Sequence, residues 1–213
     1  YTDTFDEKDA QFVSHIHLAD WTELAVIAPA TANIVAKMAN GIADDFVSTA
    51  LLATTAPRLI VPAMNQHMLE NPATARNMEA LKSYGYEIME PDTGFLAEGY
   101  EGKGRMPEPE KIVEAAQLVV LNNAKELPLK GKKVLITAGG TKERIDPVRF
   151  ISNDSSGKMG YSLAKAARDL GAEVKLVTAT NLLPIPFGVE SIYVQSSEEM
   201  ESEVLDKFHN LDM

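Results

Sequence analysis

Short apolar runs alternate with longer segments of helical spacing in the first part of the chain. Residues 24–28 form a continuous apolar run, typical of a buried β-strand, and in residues 31–43 apolar positions recur every three or four residues. The alternation continues with predicted strands at 58–62 and 86–89 and predicted helices at 71–84 and 108–122. Strands that alternate with helices indicate a parallel sheet covered on both faces.

A second unit of the same kind follows a polar segment with Pro and Gly, residues 123–133, where we place a domain boundary. The strands predicted beyond it are 134–138 and 173–179, and the helices are 158–170 and an acidic helix that starts after Ser196 with the capping box Ser196 and Glu199. The long loop between the first strand and helix is typical of a functional loop. The fold class is therefore α/β, with two Rossmann-like doubly wound parallel-sheet domains, 1–126 and 127–213.

The two ends of the sequence suggest a piece of a longer protein. The chain opens at Tyr1 with a polar run and stops at Met213, soon after the last predicted helix, so we expect both sheets to be incomplete. The longest apolar stretches fall far short of the about 20 residues that span a bilayer. Without a signal peptide or a membrane segment, we expect a cytoplasmic protein that does not contact the membrane.

The amino-acid composition limits the kinds of site that the chain can form. The 213 residues include no cysteine, which excludes disulfides, thiolate metal sites, iron–sulfur clusters and cysteine nucleophiles. There are 20 basic and 31 acidic residues, yet residues 130–175 hold ten basic and five acidic ones. This local excess favours a small anionic ligand, with a solvated basic face as the alternative. The sequence has no basic run interleaved with aromatic residues, so nothing indicates a nucleic-acid partner. The four histidines lack the spacing of a metal site.

Polar residues follow two neighbouring strands of the first unit, where open α/β sheets bind ligands. Thr31 can cap the next helix, so that the N–H groups of Ala32 and Asn33 face an anion; an ordinary N-cap is the alternative. After the next strand, Ala63 precedes Asn65, whose amide offers a donor and an acceptor to a carboxylate. A turn-forming Asn is the alternative there.

Two further features of the first unit indicate residues that could bind a substrate or transfer protons. Residues 94–105 hold four glycines together with Lys103 and Arg105, a composition that suits a mobile flap over an anionic substrate, or a plain flexible loop. His15 and His17 precede the first strand, and a histidine near a cleft can transfer protons at neutral pH. A structural histidine is the alternative.

In the second unit, glycines and hydroxyls follow the first strand. Gly139, Gly140 and Thr141 come directly after it but do not form the dinucleotide fingerprint, because residue 144 is Arg. The next helix is preceded by hydroxyls, a glycine and a lysine that do not form a Walker A loop. These residues are Ser155, Ser156, Gly157 and Lys158. The pattern predicts a nonstandard phosphate or nucleotide site.

Six segments, in this order, carry a family resemblance: HIHL, APATAN, PAMNQHM, GYEGKGRMPEP, ITAGGTKERIDPVRFISN and SSGKMG. Together they resemble the bifunctional phosphopantothenoylcysteine decarboxylase / phosphopantothenate–cysteine ligase family (CoaBC, also called Dfp) of coenzyme A biosynthesis. The resemblance covers essentially the whole chain, whereas related flavin decarboxylases share only its first part. It implies that the family's first phosphate-binding turn and its CTP-binding lysine lie beyond the two ends of this sequence.

For the first domain the resemblance implies an FMN-dependent decarboxylation of 4'-phosphopantothenoylcysteine to 4'-phosphopantetheine. FMN would oxidise the cysteinyl unit reversibly, which allows CO2 to leave without net redox change. His15 would be the base, and Glu98 stands where the family carries a proton-donating cysteine. The residues implied to bind FMN are Thr31, Ala32, Asn33 and Ala63, and those implied to bind the substrate are Asn65, Gly99, Lys103, Arg105 and Met106.

For the second domain the resemblance implies the ligation of 4'-phosphopantothenate with cysteine, in which CTP activates the carboxylate as an acyl cytidylate. Asn153 would help to turn over this intermediate, and Mg2+ would accompany CTP. The implied nucleotide and phosphate residues are Gly139, Gly140, Thr141, Ser155, Ser156, Gly157 and Lys158. The family also implies homo-oligomers, with a trimer-based flavin domain and a dimeric ligase domain. A noncatalytic FMN-binding flavoprotein of the same fold is the competing hypothesis, favoured by Glu98.

Overall fold

A computed structural model of the chain describes residues 14–95, 99–123, 126–209 and 211–213. It divides into two compact units, Tyr1–Val120 and Leu121–Met213. Both units are α/β with a three-stranded parallel sheet and are Rossmann-like, as the sequence predicts. Among the described residues, no helix has the length and apolar character needed to cross a membrane.

The sheet of the first unit has the order β1–β2–β3, and its central strand carries the core. Leu59, Ile60 and Val61 of the central strand are inaccessible to solvent because strands flank it and helices pack against it. The strands are β1 (Ala25–Ala30), β2 (Arg58–Pro62) and β3 (Glu87–Ile88). The helices are α1 (Ser14–Trp21), α2 (Ala32–Asn40), α3 (Phe46–Ala53), α4 (Gln66–Glu70), α5 (Pro72–Ser83) and α6 (Pro109–Asn122).

Local signals account for most of these boundaries. The helix predicted from Asn71 is confirmed as α5, with the Asn71 side chain accepting a hydrogen bond from the Ala73 N–H at 2.9 Å. The helix predicted to reach residue 43 ends instead at Asn40. Gly41 has a left-handed φ of 66°, and its N–H is bonded to the Lys37 carbonyl, which closes the last turn. The apolar pattern alone did not show this glycine cap.

Two regions for which the sequence predicts loops contain antiparallel hairpins. The Gly-rich segment of the first unit holds β4 (Asp92–Phe95) and β5 (Glu101–Arg105). The long loop of the second unit holds β7 (Lys142–Arg144) and β8 (Phe150–Ser152). Neither pair shows a regular apolar alternation, so the patterns gave no strand signal there.

The second unit has the strand order β10–β9–β6, and the buried Leu176 and Val177 of its central strand form much of its core. Its remaining elements are β6 (Lys133–Ala138), α7 (Lys158–Asp169), β9 (Glu173–Thr178), β10 (Glu190–Tyr193) and α8 (Ser197–Phe208). The predicted capping box of α8 is confirmed: Ser196 Oγ accepts a hydrogen bond from the Glu199 N–H, and the Glu199 carboxylate accepts one from the Ser196 N–H. The carboxyl ends of the three parallel strands share one edge.

Candidate functional sites

The first candidate site lies where β1 and β2 end side by side. The N–H of Ala63 donates to the Ala30 carbonyl at 3.1 Å, which joins the two strand ends. The predicted cap at Thr31 is confirmed: its Oγ1 accepts from the Ile34 N–H at 3.4 Å at the start of α2. Thr31 and Asn33 are exposed. The strand ends therefore present an accessible helix N-terminus, which suits a phosphate group.

Asn65 lies just beyond the end of β2, and both ends of its carboxamide are held. Its Oδ1 accepts a hydrogen bond from the His67 N–H at 2.9 Å, which caps α4, and its Nδ2 donates to the Tyr100 hydroxyl at 2.7 Å. Tyr100 was not among the predicted site residues. Its position in the Gly-rich segment was the only signal, because a contact across 35 residues leaves no local pattern.

The hairpin β4–β5 is attached to this same segment. The N–H of Met64 donates to the Gly104 carbonyl at 3.1 Å. Gly104 has a φ of 149°, and a Cβ built on it would overlap the Met64 carbonyl oxygen. Only glycine permits so close an approach of the two backbones. The Gly-rich segment is thus placed against the end of β2.

The cationic residues of the hairpin are paired with carboxylates. Lys103 Nζ lies 2.5 Å from the Glu90 carboxylate, and Arg105 lies 2.7 Å from that of Glu108, in pairs that are largely exposed. Gly99 is exposed with a φ of 90°, and Met106 is half-buried. Glu98 lies outside the described residues.

His15 lies on the face of α1 that packs against α3. Its ring makes an edge-to-face contact with Phe46, with 6.3 Å between the ring centroids, and the side chain is half-buried. A second contact between the same regions is the hydrogen bond from Thr54 Oγ1 to the Ala19 carbonyl at 2.9 Å. His17 is exposed. The structure thus places His15 at the α1–α3 packing, whereas Thr31, Ala63 and Asn65 are grouped at the strand ends.

The second candidate site lies at the carboxyl edge of the sheet in the second unit. A Cβ built on Gly140 would lie 3.0 Å from Asn153 Cγ, so the two residues are in tight contact. Asn153 Oδ1 accepts from the Ser155 N–H at 3.0 Å. The predicted residues of the Gly139 turn and of the Asn153 segment therefore come together around one point of the sheet edge.

Thr180, which the sequence did not suggest, completes this second site. The amide nitrogen of Thr180 would lie 3.0 Å from a Cβ on Gly139, and its methyl group would overlap a Cβ on Gly157. The buried Tyr161 holds it in place by donating to the Thr180 carbonyl at 2.9 Å. Because Gly139 and Gly157 both have positive φ and no room for a side chain, the two turns pack backbone to backbone.

The remaining predicted residues of the second site border this cluster. Ser152 Oγ donates to the Thr141 carbonyl at 2.8 Å, which links the two ends of the β7–β8 hairpin. The N–H of Lys158 donates to Ser156 Oγ at 3.4 Å at the start of α7. Ser155, Ser156 and Lys158 are exposed, as a site for a soluble anion requires.

Two carboxylates of the β7–β8 hairpin region have lowered pKa values. Hydrogen bonds from the Ser197 N–H and hydroxyl hold the pKa of Glu143 below its usual value and fix β7 to the start of α8. The pKa of Asp146 is also lowered, first by the Arg149 backbone N–H and then by its guanidinium. Among the described residues, no group of three or more His, Asp and Glu side chains is arranged to hold a metal ion.

Two family models match the chain and together cover most of it. The model described as "Flavoprotein" matches residues 1–121. The model described as "DNA/pantothenate metabolism flavoprotein C-terminal domain" matches residues 129–213. The first match spans more than half of the chain and includes the first candidate site, and the second match includes the second candidate site.

Two curated relatives are close in sequence. The chain is 51% identical to the coenzyme A biosynthesis bifunctional protein CoaBC of Bacillus subtilis, across 100% of this chain and 52% of that protein. It is 48% identical to a cysteine/cysteine sulfinic acid decarboxylase from an unknown prokaryotic organism, across 99% of this chain and 59% of that protein. The chain therefore spans about half the length of the curated relatives it matches.

Two solved structures resemble the first unit. One is a mutant PPC decarboxylase complexed with pantothenoylaminoethenethiol, at 35% identity and a TM-score of 0.53, covering 55% of this chain and 68% of that one. The other is the FMN-binding protein AtHal3, at 35% identity and a TM-score of 0.50, covering 55% of this chain and 67% of that one. The homologues thus include both decarboxylases and FMN-binding flavoproteins.

Proposed function

Because the chain belongs to the flavoprotein family and is a homologue of the CoaBC bifunctional proteins, we propose that it contributes to two reactions of coenzyme A biosynthesis. The first is the FMN-dependent decarboxylation of 4'-phosphopantothenoylcysteine to 4'-phosphopantetheine. The second is the CTP-dependent ligation of 4'-phosphopantothenate with cysteine. We assign the former to residues 1–126 and the latter to residues 127–213.

The strand ends of the first unit fit FMN. The accessible start of α2 at Thr31, Ala32 and Asn33 suits the phosphate or ring edge of a flavin, and Ala63 would line the cofactor from the adjacent strand. FMN supplies a reversible two-electron oxidation, which a cysteinyl carboxylate needs because it has no neighbouring carbonyl to accept electrons. The role of the protein is to hold the cofactor and the carboxylate side by side.

The attachment of the β4–β5 hairpin to Asn65 is the observation that carries the decarboxylase proposal. It joins the residue proposed to hold the substrate carboxylate to the segment proposed to cover the substrate. Lys103 and Arg105 would take the substrate phosphate in exchange for Glu90 and Glu108. His15 is proposed as the base, with Gly99 and Met106 next to the substrate.

The convergence of Gly139, Gly140, Asn153 and Gly157 supports a nucleotide site in the second unit. Exposed hydroxyls at residues 155 and 156 and the N-terminus of α7 suit phosphate groups. Mg2+ would arrive with CTP and offset the triphosphate charge. In this proposal Asn153 acts on the acyl cytidylate, and the flavin and ligase domains assemble as trimers and dimers.

The test is turnover by the natural protein that contains this sequence, purified with FMN bound. We expect CO2 release from 4'-phosphopantothenoylcysteine to exceed that from free cysteine, and Asn65→Ala to raise the KM for the former. Faster turnover of free cysteine would instead indicate the activity of the cysteine decarboxylase relative. An FMN-loaded protein that releases CO2 from neither compound would contradict the decarboxylase proposal.

A noncatalytic FMN-binding flavoprotein is the second candidate, favoured by Glu98 at the position of the family's cysteine. Such a protein would hold FMN and release no CO2. If the protein is instead a decarboxylase that carries Glu98, we expect oxidation and decarboxylation to proceed and reduction of the enethiol to be slow. A raised pKa of this carboxyl in a closed site would be needed for it to donate the proton. CO2 release at a normal rate would rule out the noncatalytic candidate. Mass spectrometry of the product tests the second expectation, since rapid formation of the fully reduced thiol would rule out impaired reduction.

A further inference from the structure

Tyr100 holds the amide end of the Asn65 carboxamide. The Asn65 Nδ2 donates to the Tyr100 hydroxyl at 2.7 Å, while Oδ1 accepts from the His67 N–H at 2.9 Å. An amide has a donor end and an acceptor end that differ chemically but are nearly equal in shape. The His67 N–H can only donate, so it requires the carboxamide oxygen on its side, and a half-turn of the carboxamide would break that hydrogen bond. The Tyr100 hydroxyl holds the amide end, which this orientation directs towards it.

We propose that Tyr100 is a positioning residue that holds the amide end of Asn65 in place for an anionic carboxylate ligand. The inference rests on the proposed function, in which Asn65 holds the carboxylate of the substrate. A carboxylate accepts hydrogen bonds and is repelled by the carboxamide oxygen, so the amide end of Asn65 must face it. The His67 N–H selects that orientation, and the Tyr100 hydroxyl restrains the amide group that faces the ligand.

The backbone gives this contact a fixed geometry. Met64, which precedes Asn65, is bonded to Gly104 on β5 at 3.1 Å, and Gly104 allows no side chain there. Tyr100 directly precedes β5, so the hairpin is attached to the end of β2 at two points. The Tyr100 side chain is not buried, with 39% of the residue exposed, and loss of its hydroxyl leaves no core cavity.

The test compares Tyr100→Phe with the matched control Tyr84→Phe. Tyr84 lies in the same unit and donates its hydroxyl to the Ala39 carbonyl of α2 at 3.2 Å rather than to Asn65. One neutral hydrogen bond corresponds to a roughly two- to tenfold effect. We expect Tyr100→Phe to raise the KM for 4'-phosphopantothenoylcysteine by this factor with kcat nearly unchanged, and Tyr84→Phe to alter neither.

Coupling to Asn65 separates positioning from a purely structural role. In an Asn65→Ala background, Tyr100→Phe should have no further effect on KM, because the carboxamide that Tyr100 holds has been removed. If Tyr100→Phe raised KM by the same factor with Asn65 and with Ala at position 65, the inference would be overturned. A wild-type KM for Tyr100→Phe in an active enzyme would overturn it as well.

A second measurement needs no turnover. Trypsin cleaves after Lys103 and Arg105 of β5, and the rate of cleavage reports how firmly the hairpin is attached. In the FMN-loaded protein we expect cleavage to be roughly two- to tenfold faster in Tyr100→Phe than in Tyr84→Phe. Equal cleavage rates would overturn the inference whatever the activity. A protein that shows these cleavage rates but releases no CO2 would refute the proposed function. It would still support the attachment of the hairpin through Tyr100.

Discussion

The contact between Gly140 and Asn153 gives the sharpest prediction for the second unit. A Cβ added to Gly140 would lie 3.0 Å from both Cγ and the backbone oxygen of Asn153, and closer still to Oδ1, whereas ordinary contact begins at 3.4 Å. Gly140 does not have a positive φ, so Gly140→Ala adds no backbone strain. Its effect is steric: the carboxamide of Asn153 must withdraw by about 0.4 to 1 Å and the backbone oxygen of Asn153 by about 0.4 Å.

This displacement should impair ligation while the protein remains folded. Overpacking of this kind costs roughly 1–3 kcal/mol of stability. A displacement of about 1 Å in a group that positions the reacting atoms can cost about 100-fold in rate. It would also stretch the 3.0 Å hydrogen bond from the Ser155 N–H to Asn153 Oδ1. We therefore expect a folded Gly140→Ala protein whose ligase kcat falls by one to two orders of magnitude.

The assay follows CTP-dependent formation of 4'-phosphopantothenoylcysteine together with the acyl cytidylate, by mass spectrometry. Gly140→Ala should accumulate the cytidylate. As a control, the loss of unfolding free energy caused by Gly140→Ala should shrink in an Asn153→Ala background, because only the backbone oxygen then remains in close contact. Ligation at the wild-type rate by Gly140→Ala would refute the reasoning.

Three further outcomes follow from other residues. Asn153→Asp should block ligation with the acyl cytidylate accumulating, and unchanged turnover would contradict its role. Gly104→Ala should detach the hairpin from Met64, because its Cβ would overlap the Met64 carbonyl oxygen; we expect faster tryptic cleavage of β5 with little change in melting temperature, and unchanged cleavage would count against the attachment. Asp45 accepts from Lys37 Nζ and the Ser48 N–H, which lower its pKa from 3.8 to about 2. The carboxylate therefore stabilises the fold above about pH 4, and this contribution is lost as the pH falls towards 2. Asp45→Ala should cost about 1 kcal/mol at pH 7 by loss of the cap; urea titrations should show the difference from wild type shrinking between pH 4 and pH 2, and a difference independent of pH would contradict it.

The regular elements were largely predictable because their signals are local. The run of residues 58–62 is β2, and the Asn71 cap and the Ser196 capping box start α5 and α8 where expected. Helix α3 (Phe46–Ala53) was not predicted, because its small and apolar residues show no polar face. The short strand β10 (Glu190–Tyr193) was missed for a similar reason, since four residues are too few for a clear alternation.

The sequence by itself determined the fold class, the parallel order of strands and helices, and the segments that hold the two candidate sites. Those features depend on neighbours a few residues apart, through apolar spacing and side-chain caps. Only the tertiary structure decided which residues meet: Asn65 with Tyr100, Gly140 with Asn153, and Gly139 and Gly157 with Thr180. The partners in each contact are 13 to 41 residues apart in the sequence. Such contacts depend on where hairpins and strand ends come to lie, and no local pattern of side chains records that position.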